Sequence, residues 1–136
     1  MARYLISFDH GAMDHIPDEE GPAVGEAAHA VVQEAMDAGV FVFAGGCEEA
    51  SVVATDGTVS DAPKNKAYIG GLTILDVPSR EAALVWAAKI AVACRCAQEV
   101  RAFMLRPGSG QLIEPQGRSA GPAFRMTPED VCDRSS

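Results

Sequence analysis

Two hydrophobic periods alternate along most of the chain. Over residues 22–38 the apolar side chains recur every three to four positions and Gly39 follows, which predicts an amphipathic helix. Residues 80–92 are apolar on nearly every side and predict a second helix, with Ser79 as its N-cap. Short segments rich in β-branched and aromatic residues predict strands. These strands are residues 3–9, 40–44, 51–55, 58–60, 67–77 and 98–105.

The order of the elements is strand, helix, strand, small hairpin, strand, helix, strand. It predicts an α+β domain of the ferredoxin-like plan, βαββαβ with an inserted β-hairpin, of the dimeric α/β-barrel type. Asp56-Gly57 is the turn signal of the hairpin. Gly45-Gly46 are expected to end the second strand, and Gly70-Gly71 predict a bulge or a close backbone approach.

Several predicted strands are apolar on both faces. The helices cover one face of the sheet, so the other face needs a cover too. We expect a second copy of the chain to supply it by sheet-on-sheet stacking, which makes the protein a homodimer. The alternative is that these strands simply lie centrally in their sheet. The residues concerned are Phe41, Phe43, Leu72 and Ile74.

The composition changes towards the carboxyl end. Residues 1–106 form the predicted domain, whereas residues 107–136 hold four prolines and four glycines without a visible period. Such a segment predicts a tail that is flexible or draped on the body. Leu112, Ile113 and Phe124 are candidate anchors, either on the body or on a neighbouring subunit.

The charge balance limits the classes of partner that we expect the protein to bind. The chain carries 11 Lys and Arg against 19 Asp and Glu, a net charge of −8. Nucleic acids and anionic membranes attract basic proteins, so we expect neither as a partner. No apolar run approaches the ~20 residues of a membrane span, and the first residues lack a signal-peptide layout, which predicts a cytoplasmic location. In that compartment the four cysteines, at positions 47, 94, 96 and 132, are expected to be reduced thiols.

Potential metal ligands follow the first strand. Asp9, His10, Asp14 and His15 lie within seven residues, and imidazole with carboxylate suits several metals. A loop imposes no fixed spacing, so a solvated acidic loop is the favoured interpretation and a metal site the alternative. Cys47 is a weak candidate nucleophile, because only acidic residues stand near it in the sequence.

A histidine–aspartate pair is the strongest candidate for chemistry. Asp9 ends the first strand, and His29 lies two turns into the first helix at the edge of its apolar stripe. These elements are adjacent in the predicted fold, so the two side chains could touch. A carboxylate that orients an imidazole suits it to general acid–base catalysis near neutral pH. The alternative is a boundary histidine with a structural hydrogen bond.

Four stretches follow one another in a fairly specific order and spacing: RYLISFD, the helix with His29 leading into DAGVFVFAGG, ATDGTVSDAPKNKAYIGGLTILDV, and SREAALVWAAKIAVACRCAQEVRAFM. Together they resemble the YCII-related proteins, also called the DGPF-domain family, over roughly residues 2–105. The resemblance implies a ferredoxin-like α+β fold and a dimer. It implies that some members are enzymes built on a histidine–aspartate pair, which falls here on His29 and Asp9. A related protein is a dehydrochlorinase for a chlorinated hydroxyaromatic.

One segment departs from the family pattern. Where the family has Asp-Gly-Pro-Phe followed by Glu-Thr-Lys, this chain reads Asp61-Ala62-Pro63-Lys64-Asn65-Lys66. If that loop lines a pocket, the ligand of this protein differs from the common one. If the loop is only a turn, the change is neutral.

Two functions are hypotheses at this point. The first is a cofactor-independent enzyme for a small molecule, in which His29 transfers a proton during an elimination or isomerisation and Asp9 orients it. The second is a non-catalytic dimeric ligand-binding or accessory protein, in which His29 has a structural role.

Overall fold

The computed structural model describes residues 2–104, which form a mixed α+β structure with two helices and an antiparallel sheet. A 3₁₀ turn, Asp18–Glu20, leads into the first helix. The predicted tail, residues 107–136, and the domain boundary before it lie outside the described residues. In chain order the elements are β1 (Ala2–Asp9), α1 (Gly21–Asp37), β2 (Phe41–Gly46), β3 (Ser51–Val53), β4 (Val59–Asp61), β5 (Ile69–Val77), α2 (Arg80–Cys94) and β6 (Glu99–Ala102).

Four strands form one antiparallel sheet in the order β2-β5-β1-β6. β5 and β1 are its central pair, with Leu5 opposite Ile74, and β6 lies along the other side of β1. β3 and β4 form a separate two-stranded ribbon, turned at Gly57 with a φ of +88°. The predicted strands and helices are therefore confirmed, with their bounds shifted by a few residues. The last strand ends at Ala102, earlier than predicted.

The strand β2 runs further than the sequence indicates. The strand ends at the glycine pair as predicted, but it includes both glycines, which pair with β5 opposite Leu72 and Gly71. A neighbouring strand that supplies ladder hydrogen bonds outweighs the weak strand preference of glycine.

The helix ends follow local chemistry. The Ala82 amide donates a hydrogen bond to Ser79 Oγ (3.2 Å), so Ser79 caps α2 as predicted. Gly39, with a φ of +74°, follows α1 in the left-handed conformation that glycine adopts without strain. Arg95 adopts the same region at the end of α2 (φ 56°), where its amide donates to the Ala91 carbonyl.

Both helices pack on one face of the sheet. The sheet contributes Tyr4, Ile6, Leu75 and Val77 to the core, and the helices contribute Ala35, Ala83, Ala87, Ile90 and Cys94. Mostly small helical residues allow the helices to approach the strands closely. An exposed ion pair between Lys89 and Glu34 joins the two helices. A second exposed pair joins the residues that flank them, from Arg95 Nη1 after α2 to Glu20 Oε1 of the 3₁₀ turn (2.9 Å).

Neither helix is long and apolar enough to cross a membrane, as far as residues 2–104 are concerned. The cytoplasmic location stays a prediction.

Candidate functional site

The two candidate catalytic residues lie on different elements. Asp9 is the exposed last residue of β1, and His29 is a half-buried residue in the middle of α1. Within residues 2–104, neither side chain forms a hydrogen bond or an ion pair, with the other or with any third residue. Catalytic hydrogen bonds often tighten only when substrate is bound. The described chain therefore does not preassemble the pair, and its catalytic role stays a prediction.

His29 faces away from the groove between the two helices. Val24 and Ala35 are the buried residues of α1. At 3.6 residues per turn, His29 lies roughly 130° around the helix from them. The groove is lined from α1 by residues of the opposite flank, including Ala27 and Val31, and His29 does not line it. Any ligand that reaches His29 must approach from the other flank of α1.

The loop after β1 carries the histidines considered as metal ligands. Among residues 2–104, no group of three or more His, Cys, Asp or Glu side chains is arranged to hold a metal ion. His10, Asp14 and His15 are all exposed. The loop backbone forms consecutive turns, with the amide of Asp14 donating to the Gly11 carbonyl (3.1 Å). This geometry is that of a solvated turn.

The sheet face opposite the helices is apolar at its centre. Directly opposed residues of neighbouring strands share a face, so Leu5, Ile74 and Phe43 form one row across β1, β5 and β2. Phe43 is 51% exposed, and Leu5 and Ile74 are half-buried. None of the three belongs to the core beneath the helices. Leu72 lies in the next row, opposite Ser7. We call these five residues and the face they occupy the outer face.

Ser7 is the polar residue of the outer face that sequence reasoning missed. The residue is 1% exposed, and its Oγ has no hydrogen-bond partner among the described residues. Burying a hydroxyl without a partner costs about 1–3 kcal/mol. The only sequence signal is a polar residue within the otherwise apolar stretch Tyr4–Phe8.

The cysteines in the described region are free thiols, as the sequence predicts. Burial, with a smaller contribution from the neighbouring Cys96, raises the pKa of the Cys94 thiol to about 11. Burial also raises the pKa of Cys96. A protonated thiol is a poor nucleophile, so both are unreactive at neutral pH. Cys47 is exposed, and Cys132 lies outside the described residues.

The segment that departs from the family pattern is an exposed turn. The amide of Lys66 donates to the Pro63 carbonyl (3.3 Å), and the Lys66 ammonium lies 5.5 Å from the centroid of the Tyr68 ring. Lys64, Asn65 and Lys66 are all exposed. In this geometry the lysine covers an aromatic ring beside the start of β5, which is a favourable cation–π arrangement.

Comparison with known proteins adds no relative. No protein-family model and no curated protein matches this chain. The resemblance to the YCII-related proteins therefore rests on the sequence stretches quoted above.

Proposed function

We propose that the protein is a homodimer of the YCII-related type that stacks sheet on sheet and binds a small organic molecule. The apolar outer face carries this proposal. The strand order β2-β5-β1-β6, with both helices packed on one face, supports a ferredoxin-like arrangement. A sheet with helices on one side leaves its other side to water or to a partner.

A second copy of the chain suits the outer face better than water does. The centre of the outer face is the row of Leu5, Ile74 and Phe43. Charged residues of both signs lie beside this row. Arg3 donates from Nε and Nη2 to the two carboxylate oxygens of Asp76 (3.0 and 3.1 Å). Arg101 lies opposite Leu5 on β6. A two-fold axis brings the same patch of both copies together, so an apolar centre with mixed charges around it is self-complementary.

Ser7 supports a ligand site at the same face. Its hydroxyl can donate one hydrogen bond and accept two, and it lies beside the apolar side chain of Leu72. Pockets for small molecules combine apolar walls with a few polar groups that fix the orientation. A small apolar or aromatic molecule with a hydroxyl or carbonyl group fits this description.

Sedimentation equilibrium tests the dimer. The wild type is expected at twice the chain mass of 14.2 kDa. Phe43→Asp places a charge in the centre of the outer face and is expected to weaken association at least about tenfold. Val59→Asp is the matched control, because Val59 is 64% exposed but lies on the separate ribbon. A wild type that sediments as a monomer at all concentrations overturns the proposal, as does equal weakening by both variants.

A second candidate function is acid–base catalysis by His29. Its imidazole is half-buried and has no hydrogen-bond partner within residues 2–104, which leaves a nitrogen available for a substrate proton. In an elimination of the kind the resemblance implies, the substrate reacts as its keto tautomer, in which the chlorine-bearing ring carbon is sp3, and the imidazole accepts the proton of a ring hydroxyl. The electrons of that O–H bond form a C=O bond, the adjacent ring double bond shifts to the chlorine-bearing carbon, and chloride leaves with the electrons of the C–Cl bond. Asp9 would then stabilise the imidazolium once substrate brings the two together.

Chloride release from a panel of chlorinated hydroquinones tests the catalytic candidate. His29→Gln is expected to abolish turnover, and Asp9→Asn to lower it by about 10²-fold or more. The exposed loop variant His15→Gln is the control and is expected to retain full activity. If wild type and His29→Gln release chloride at the same rate, His29 is not the catalyst and the ligand-binding function alone is left.

A further inference from the structure

Two neighbouring rows of residues cross the outer face, and each row has one residue on each of the four strands. Glu99 and Arg101 of β6 belong to them, because directly opposed residues of neighbouring strands share a face. From β6 to β2, the Phe43 row consists of Arg101, Leu5, Ile74 and Phe43. In the same order, the Gly45 row consists of Glu99, Ser7, Leu72 and Gly45.

The charges at the β6 end of the two rows are opposite in sign and have no partner within residues 2–104. Glu99 and Arg101 are both exposed, and neither forms a hydrogen bond or an ion pair there. By contrast, Arg3 and Asp76 of the same face bind each other within the chain. The charges on β6 are therefore suited to a partner that presents the opposite charge at each position.

The two rows also complement each other in size. On β2, Phe43 is 51% exposed, whereas Gly45 has no side chain. On β1, the larger Leu5 belongs to one row and the small Ser7 to the other. On β5 both rows carry an aliphatic side chain. Placing one row on the other therefore brings together opposite charges, apolar side chains, and large residues with small ones.

We propose, on the basis of the dimer proposed above, that the two sheets stack about a two-fold axis that lies between these rows and perpendicular to the strands. Such an axis places the Phe43 row of one copy on the Gly45 row of the other, and it generates every contact twice. Arg101 then faces the partner's Glu99, and Phe43 faces the partner's Gly45. An axis parallel to the strands would place Arg101 on the partner's Phe43 and leave both charges without a counter-charge.

The dimensions of stacked sheets fit these contacts. Two packed sheets lie about 10 Å apart, a gap that the long side chains of Arg101 and Glu99 close together. The strand directions of stacked sheets differ by about 30°, which displaces the outer strands by about one residue and stays within reach of these side chains. Ser7 then faces the partner's Leu5, so the second copy supplies an apolar wall to the ligand site proposed at Ser7.

Exchange of the two charges tests this arrangement by sedimentation equilibrium. Glu99→Arg places like charges in both copies of the contact, as does Arg101→Glu, and each is expected to weaken association at least about tenfold. The double variant Glu99→Arg/Arg101→Glu restores opposite charges across the axis and is expected to recover the wild-type dissociation constant to within about threefold. The effects of the single variants are expected to shrink in about 0.5 M salt, because ions screen exposed charges.

Glu26→Arg is the matched control for Glu99→Arg. Glu26 is exposed on α1, which packs on the opposite side of the sheet, and the substitution changes the net charge by the same amount. It is expected to leave the dissociation constant unchanged. Circular dichroism of each variant verifies that the fold is retained.

Methyl NMR on a mixed sample of labelled and unlabelled chains provides a second measurement. We expect nuclear Overhauser effects between the Ile74 δ1 methyl group of one copy and the Leu72 methyl groups of the other, because these residues belong to different rows. Contacts of Ile74 with the partner's Leu5 instead would overturn the proposal, since they indicate an axis parallel to the strands.

The sedimentation results separate the arrangement from the dimer itself. A wild type that is a monomer at all concentrations overturns both. If Phe43→Asp weakens association but the double charge variant stays as weak as the single variants, the dimer through the outer face stands and the proposed axis is wrong. Equal weakening by Glu26→Arg and Glu99→Arg also overturns the proposed contact.

Discussion

The backbone of His10 lies so close to Gly70 that a Cβ added to Gly70 would be 2.8 Å from the His10 Cα. The His10 amide donates to the carbonyl of Tyr68 (2.6 Å), which holds the loop after β1 against the start of β5. The register of the two strands shifts at this point, between Phe8 and Asp9. A glycine is therefore required where the candidate residue Asp9 leaves the sheet.

Gly70→Ala is expected to destabilise the protein. The added methyl group meets backbone atoms that cannot rotate away, and such overpacking costs roughly 1–3 kcal/mol. Gly46→Ala is the control, because the nearest atom to its Cβ is the Gly70 carbonyl oxygen at 3.9 Å. Urea denaturation of both variants provides the measurement. Equal stability of the two variants would show that the β1 and β5 ends can move apart at no cost.

Ser7→Ala is expected to raise the free energy of unfolding by about 1 kcal/mol, because it removes a buried hydroxyl that lacks a partner. The same variant is expected to bind a hydroxyl- or carbonyl-bearing ligand more weakly. Ser60→Ala, at an exposed position of β4, serves as the control in denaturation. A loss of stability in Ser7→Ala would mean that the hydroxyl already has a partner in the unliganded protein.

Ser79→Ala is expected to lower the free energy of unfolding by about 1 kcal/mol, because the Ala82 amide then loses the acceptor at the start of α2. Ser79→Asp retains an oxygen that can accept the same hydrogen bond and is expected to restore the wild-type value. Thermal unfolding followed by circular dichroism distinguishes the three proteins. If both variants lose the same free energy of unfolding, the loss comes from altered packing at residue 79 and not from the missing cap hydrogen bond.

The stability of the protein is expected to fall as the pH rises from 9 towards 11. The pKa of Cys94 is about 11 in the folded protein, against an ordinary 9.0. Between these values the unfolded chain releases the thiol proton while the folded chain retains it, so alkali favours unfolding. Below about pH 8 both states hold the proton and the thiol contributes no pH dependence. The loss over the whole interval is at most about 2 kcal/mol.

Denaturation at a series of pH values in reducing buffer, with Cys94→Ala as the comparison, isolates this effect from the titration of lysines. The difference in unfolding free energy between the two proteins is expected to change only above about pH 8. A constant difference up to pH 11 would show that the thiol is solvated in the folded state.

Local signals account for most of the secondary structure. Ser79, Gly39 and Asp56-Gly57 act within a few residues of themselves, so their roles at two helix ends and a hairpin turn are readable from the sequence. Gly45-Gly46 show the limit of such signals: β2 ends at this pair, but the strand conformation of the two glycines depends on pairing with Leu72 and Gly71, more than twenty residues away. Propensity cannot report a ladder partner that is distant in the chain.

The candidate site, like the secondary structure, is only partly predictable from the sequence. The sequence points to Asp9 and His29 as residue types suited to proton transfer, and adjacency of β1 and α1 makes a contact conceivable. Whether the two side chains meet depends on the rotation of α1 about its axis, which packing of Val24 and Ala35 sets. That rotation turns His29 away from the groove beside α2 and leaves the pair without a hydrogen bond between them.

The sequence by itself determined the order of strands and helices, the turn and cap residues, the acidic charge and the excess of apolar strand residues. Each of these is a property of neighbouring residues or of composition. Only the tertiary structure decided that Phe43 and Ile74 lie together on the outer face, that Ser7 is buried without a partner, and that α2 leaves Val85 and Val92 exposed. These features depend on strand register and on helix orientation, which arise from contacts between residues far apart in the chain.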